Sequence, residues 1–266
     1  VAASPVKHSE HLILVEAFKP IPVPQIADRP ALFWARCCID LQLLTIFQFL
    51  RQPLQSVRGT LVDVGAGQGP WRSLLHASVK YVAVDVAIAS EFGMGQQDGT
   101  LYYDGVKLPL EDESLDAILC TEVIEHVPDV ASFLQDLNRV LRKGGTLILT
   151  VPWAARVHHQ PHDYARFSRF GLERLLSKAA FHQIEITERG NDVTAIANKL
   201  IVLCVRLLRP KDLRSIVFSW PTALILLPLS FVFLMFAHLT LTFGWGSRDD
   251  PLGYGVIARK PLADNP

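Results

Sequence analysis

The stretch LVDVGAGQGPW, residues 61–71, sets an alternating apolar run directly before three glycines, Gly65, Gly67 and Gly69, and a proline, Pro70. A strand that ends in such a turn lets a ligand approach bare backbone, and glycine tolerates the left-handed conformations the turn demands. Pro70 suits the first position of a helix, so a helix is expected after the turn, offering free N–H groups to an anionic group.

Outward from this turn the chain keeps one texture. Short apolar runs, YVAVDVA, LYYD, LDAILC and GTLILTVP, alternate with helical or turn segments, which predicts a doubly wound α/β sheet, parallel at its centre. Asp129 is placed to cap a helix over DVASFLQDLNRVLRKGG that Gly144 ends, and Ser168 to cap one over SRFGLERLLSKAAF. HQIEITER and GYGVIARK read as two further strands. Residues 31–51 read as one mostly buried helix with Arg36 and Asp40 outside, and the prolines at 5, 20, 22, 24 and 30 mark an arm before it.

Composition narrows the class. The 266 residues carry 26 basic and 26 acidic side chains, so no global field points to nucleic acid. The four cysteines, at 37, 38, 120 and 204, lack metal or C-x-x-C spacing, which fits a reducing compartment. The first twenty residues lack the basic start, apolar core and cleavage site of a secretory signal. Mean hydropathy is +0.25, raised by residues 215–247, 33 residues without Asp, Glu, Lys or Arg.

Two acids follow the glycine turn at strand ends. Asp85 stands 20 residues after Gly65, where a carboxylate accepts from ribose hydroxyls, and Asp104 ends the next strand, placed for an adenine amino group. Dinucleotide binding would require a third glycine at position 70, where Pro70 stands.

The ordered segments VDVGAGQG, AVDV, DGVKLPLEDESLDAILCTEVIEHVPD and LNRVLRKGGTLILTVP resemble the class I S-adenosylmethionine-dependent methyltransferases, of the methyltransferase type 11 kind. The resemblance implies a Rossmann-like seven-stranded sheet whose last strand is antiparallel, with an apolar helical insertion before that strand. It implies S-adenosylmethionine as cofactor. Asp63, Gly65, Ala66 and Gly67 would surround its methionine part, Asp85 its ribose, and Val86, Asp104 and Gly105 its adenine; Gly69 would complete the cofactor-binding turn, and Cys120 and Thr121 would pass near the sulfonium. Domain limits follow: an arm and helix over 1–57, the cofactor-binding core over 58–192, the insertion over 193–250 and the final strand over 251–266.

A hydroxyl acceptor would need a base, and two clusters offer one: Glu122, Glu125 and His126, and the loop VHHQPHDYARFSRFG with His158, His159, His162, Asp163, Tyr164 and Arg166. His126, His162 and Asp163 are the catalytic candidates. No metal is expected, since no ligand set is spaced to complete a site around the loop. The loop is similar to that of a membrane-associated subgroup linked to cell-envelope glycan pathways, which implies a small-molecule or lipid-linked acceptor. Because the strands on either side of the apolar run must pair, a single membrane crossing is disfavoured, and Pro221 and Pro228 would bend the run into a hairpin, a re-entrant pair or an in-plane helix at the cytoplasmic face. Lys199, Arg206, Arg209, Lys211 and Arg214 would meet lipid phosphates. The competing expectations are a soluble acceptor with the run used in dimerisation, and a non-catalytic scaffold subunit; the sequence leaves the oligomeric state open.

Overall fold

The computed structural model describes residues 21–92, 95, 97–210 and 212–262. The early arm up to residue 20, and Lys211, lie outside them.

Seven strands form one sheet: β1 (Thr60–Val64), β2 (Lys80–Val86), β3 (Leu101–Tyr103), β4 (Leu115–Thr121), β5 (Leu141–Pro152), β6 (His182–Arg189) and β7 (Gly253–Arg259). Their order is β3-β2-β1-β4-β5-β7-β6. The first five pair in parallel and β7 runs antiparallel to both β5 and β6, as expected. Central strands read as continuous apolar runs because both faces are covered. Helices α3 (Val130–Val140) and α4 (Arg169–Lys178) cover one face through Leu134, Leu137, Leu172 and Leu176. Helix α2 (Leu41–Ser56) covers the other through Leu50 and Leu54, joined there by Ala195 and Ala237. The predicted caps hold: Asp129 accepts from Ser132 N and Ser168 from Gly171 N.

Three local expectations are corrected. Residues 31–51 form two helices, α1 (Pro30–Cys37) and α2, bent by 116°. Asp40 causes the break, because its side chain accepts from Leu43 N and so caps a new helix. No α-helix follows the glycine turn, only a 3-10 turn at Arg72–Leu74. Nine residues, 71–79, separate Pro70 from β2, too few for a helix and its return. Gly144 does not end α3: Leu141 is already extended and begins β5, and Gly144, at φ 77°, turns the chain inside that strand while its N–H donates to Lys260 O.

Between β6 and β7 the chain forms an antiparallel helical pair, α5 (Asp192–Leu207) and α6 (Leu213–Phe243). The apolar run is therefore one uninterrupted helix with Pro221 and Pro228 inside it, about 46 Å long at 1.5 Å per residue. Its return leg is α5, which precedes it, so both ends of the pair meet at the sheet. Asn191 caps α5 and donates to Trp245 O, and Asp192 N donates to Ser247 O. Small residues at heptad spacing, Ala223, Ser230 and Ala237, are the buried stripe of α6, and Ser230 Oγ meets Cys204 Sγ of α5 at 3.1 Å.

Candidate active site

The carboxyl ends of β1, β2 and β4 meet around the glycine turn, the edge where open α/β sheets hold ligands. Gly65, Gly67 and Gly69 all have positive φ, at 72°, 50° and 60°. A Cβ on Gly65 would lie 2.3 Å from Val123 Cγ2, so any side chain there would displace the wall of the site. The anion-binding helix terminus expected here is missing. The turn instead spends its own donors inward: Gly65 and Ala66 N–H donate to Val84 O, and Gly67 N–H to Asp85.

Asp85 thus sits under the turn, accepting from Gly67 N at 2.9 Å and Val86 N at 2.8 Å. Burial raises its pKa and these two N–H groups oppose the rise. Val86 stands beside Gly105, where a Cβ would lie 3.6 Å from Val86 Cγ1. Asp104 is exposed and accepts from Val106 and Lys107 N–H, closing its own turn. Cys120 is fully buried at the end of β4, and Thr121 follows it into a cavity of about 310 Å³. That cavity is also lined by Gly65, Ala66, Gly67, Glu122, His158 and His159, and by Arg36, Asp40 and Leu43 of α1 and α2. Gly69 lies behind the turn against Gln97.

Asp63, 1% exposed, accepts from Tyr81 Oη at 2.8 Å, while its Oδ1 has no hydrogen-bond partner among the described residues. A buried orphan carboxylate oxygen next to a cradle that only glycine fits suits a cationic ligand such as the ammonium of S-adenosylmethionine. Burial pushes the Asp63 carboxyl up from its ordinary 3.8 to about 7, with the Tyr81 hydroxyl pulling it back. The folded protein then keeps a proton that the unfolded chain releases near pH 4. Stability should fall as pH rises from about 4 to about 7 and level off above, by about 4 kcal/mol in all. Asp63→Asn should flatten this slope in ligand-free urea unfolding at pH 5 and pH 8; an equal slope in the variant would assign it elsewhere.

The acceptor end is built by two segments brought together where β4 and β5 emerge side by side. Glu125 O accepts from Tyr164 N and Ala165 N, and His126 Nδ1 donates to His162 O at 2.7 Å, so the short turn Ile124–His126 pins the loop after β5. The Asp163 side chain, 1% exposed, accepts from His158 N and from both Nη atoms of Arg166. Burial would raise its pKa, but Arg166 and the His158 N–H outweigh this and hold it below the ordinary range. The His162 ring turns outward to Tyr164 Oη at 2.8 Å. Of the loop histidines it is His158 and His159 that face the cavity, with His126 behind them, rings 4.7 and 5.0 Å away. Sequence alone offers both as members of the loop but singles out His162; the adjacent pair in VHHQ is the local signal for the two that line the cavity.

Glu122 was also undervalued. It adopts φ 54°, rare for a side-chain-bearing residue, lines the cavity and pairs with Arg189 at 2.7 Å. Glu125 is fully buried, and burial holds its pKa well above the ordinary range, with Glu122 adding to the rise.

Residues 62–149 match the family model described as a methyltransferase domain. An uncharacterized methyltransferase of Mycobacterium ulcerans is 33% identical over 128 residues, covering 46% of this chain and 50% of that one. A Mycobacterium tuberculosis protein named a probable S-adenosylmethionine-dependent methyltransferase is 31% identical over 96 residues, 35% of each chain. The chain thus spans half or less of the length of these relatives. Among solved structures, a chain of the complex between the Haloferax volcanii Trm112 methyltransferase activator and a methyltransferase superposes with a TM-score of 0.52 at 18% identity, covering 91% of this chain and 100% of that one. An S-adenosylmethionine-dependent methyltransferase from Archaeoglobus fulgidus gives 0.51 at 14%, covering 86% and 99%. Residues 62–149 thus match a methyltransferase domain, set in a seven-stranded fold shared with solved methyltransferase structures.

Proposed function

We propose that the protein transfers the methyl group of S-adenosylmethionine to an oxygen of an amphiphilic acceptor, such as a lipid-linked saccharide, presented at the cytoplasmic face of a membrane. The observation that carries the acceptor side is the position of the cavity mouth. Arg36, Asp40 and Leu43 line it, and on the same α1 and its bend Leu32, Trp34 and Ile39 are exposed. His238 of α6 donates to Cys38 O at that bend, so the apolar helix and the cavity rim form one surface. An acceptor with its tail in lipid would reach the cavity head first.

The cofactor supplies a methyl group on a sulfonium, already activated for displacement, which leaves the chain to align the acceptor and exclude water. A hydroxyl acceptor would have to give up its proton at the histidine-lined end of the cavity, where His158 and His159 stand. Asp163, by fixing Arg166 and the His158 backbone, holds that end in place.

Asp85→Ala removes the carboxylate assigned here to the ribose and frees the Gly67 N–H that it accepts from. Calorimetry should show S-adenosylmethionine affinity reduced by one to two decades, for about 1.5–3 kcal/mol. Unchanged affinity would remove Asp85 from the site. Turnover is tested by release of S-adenosylhomocysteine with lipid-linked saccharides in vesicles against soluble sugars and phenols; equal or better turnover on a soluble acceptor without lipid would sink the membrane reading.

A further inference from the structure

We propose that His126, His158 and His159 form a binding site for a divalent first-row transition metal, zinc above all, at the acceptor end of the cavity. The ligand atoms of the three rings lie within 4.8 Å of one another. His126 Nε2 and His158 Nε2 are 3.2 Å apart. Zinc–imidazole bonds of 2.0–2.1 Å in a tetrahedron place ligand nitrogens about 3.3–3.4 Å apart, so this pair already has the separation of two ligands of one ion.

The tautomers give the stronger argument. Nδ1 of His126 faces the carbonyl of His162 at 2.7 Å, and Nδ1 of His158 faces the carbonyl of Arg156 at 3.0 Å. A carbonyl can only accept, so each Nδ1 carries its hydrogen. In neutral rings each Nε2 is then a bare lone pair, and the two lone pairs point at each other across 3.2 Å. A cation between them removes the repulsion. Outer contacts of this kind, ring N–H to carbonyl or carboxylate, are what orient metal-bound histidines. Asp163 Oδ2 lies 3.3 Å from His158 Nδ1, and its carboxylate supplies negative charge beside a dication. Three imidazoles leave a fourth position, and because His158 and His159 line the cavity, that position opens toward the acceptor. Its use to hold an acceptor oxygen rests on the methyl-transfer reading; binding of the metal does not.

The alternative occupant of the Nε2 pair is a shared proton. Tag-free full-length protein, purified in detergent and stripped with a chelator, is titrated with cobalt(II) alone, and zinc content is measured on the untreated protein. The expected result is one metal per chain and visible cobalt bands of a tetrahedral nitrogen site, displaced by zinc. His126→Gln and His158→Gln should each weaken cobalt binding at least 100-fold, whereas the exposed His182→Gln should not. S-Adenosylmethionine affinity close to that of the parent shows that the variants are folded. Absence of stoichiometric metal, or cobalt binding that survives both substitutions, would overturn the site. Both readouts are independent of turnover, so a failure to find the acceptor leaves them intact.

Discussion

Arg189→Ala is expected to destabilise the core by about 1.5–3 kcal/mol, because the hydrogen bonds of a buried charged group are lost while its partner Glu122, 26% exposed at the side chain, keeps access to water. The Arg189 side chain is 1% exposed and burial lowers its pKa, so the guanidinium stays where it is only through its partners. Nη2 donates to Glu122 Oε1 at 2.7 Å and to Val151 O at 3.1 Å, and Nε donates to Tyr254 O at 3.2 Å. One side chain at the end of β6 thus ties β5, β7 and the residue that follows β4. With alanine in its place, Glu122 loses its ion-pair partner while keeping its positive-φ conformation. Lysine should not rescue, because a single ammonium cannot reach the three acceptors in the planar fork that Arg189 presents. Urea unfolding measures the loss as a lower midpoint at unchanged slope. A cost below about 1 kcal/mol would mean that Glu122 and the two carbonyls find water instead, and that the ion pair does not set the geometry of the cavity wall.

None of that pairing is visible along the chain, because Glu122 and Arg189 are 67 residues apart and meet only through the antiparallel insertion of β7 between β5 and β6. The parallel strands were legible for the opposite reason: each is a short run buried on both faces, so its apolar continuity and the glycine or acid that ends it lie in consecutive residues. The caps of α3 and α4 were legible because Asp129 and Ser168 act on N–H groups three residues away. Asp40 obeys the same local rule. It was read as one more polar residue on a helix surface, and the break it causes was missed. The helix after the glycine turn failed on a length that the sequence does show, since nine residues cannot hold a helix and its return.

The histidine cluster illustrates a harder case. His126 is 32 residues from His158, and spacing alone gave no ligand set. Adjacency of β4 and β5 brings their two exit segments together, and the carbonyls of Arg156 and His162 then fix which ring nitrogens face inward. Backbone acceptors leave no mark in sequence. For Pro221 and Pro228 the error ran the other way: both are helix breakers in isolation, but α6 continues through them, packed along α5.

The intact protein is expected to float with anionic liposomes, and a version with residues 193–247 replaced by a short turn is expected to stay in solution with its cofactor affinity unchanged. In α6 only 17% of the most apolar window is buried, and Val217, Phe218, Leu224, Ile225, Phe231 and Val232 are all more than 60% exposed. At about 25 cal/mol per Å², covering side chains of this size contributes on the order of 1–2 kcal/mol each, or on the order of 10 kcal/mol for the helix. The hydroxyls along the run suit an apolar surround, since Thr222, Ser230 and Thr242 each donate to the carbonyl four residues back. Length alone would let α6 cross a bilayer, yet its C-terminal end is held at the sheet by Asn191 and Asp192, which begin the return leg. The far end of the pair carries Arg206 in the last turn of α5 and Arg209 just after it. Burying such a basic tip mid-bilayer costs about 2.5–3.5 kcal/mol per residue, which disfavours tip-first insertion and favours a pair lying along the headgroups. Each basic residue at that level adds about 1 kcal/mol on anionic lipid, so flotation should weaken on neutral vesicles and in high salt. An intact protein that stays monomeric and soluble without lipid or detergent would defeat the membrane reading, and a detergent-free dimer would assign the helix to a second copy of the chain. Protease cleavage of the segment after β7 from the far side of sealed vesicles would mean that the pair opens into a true span and that β7 leaves the sheet.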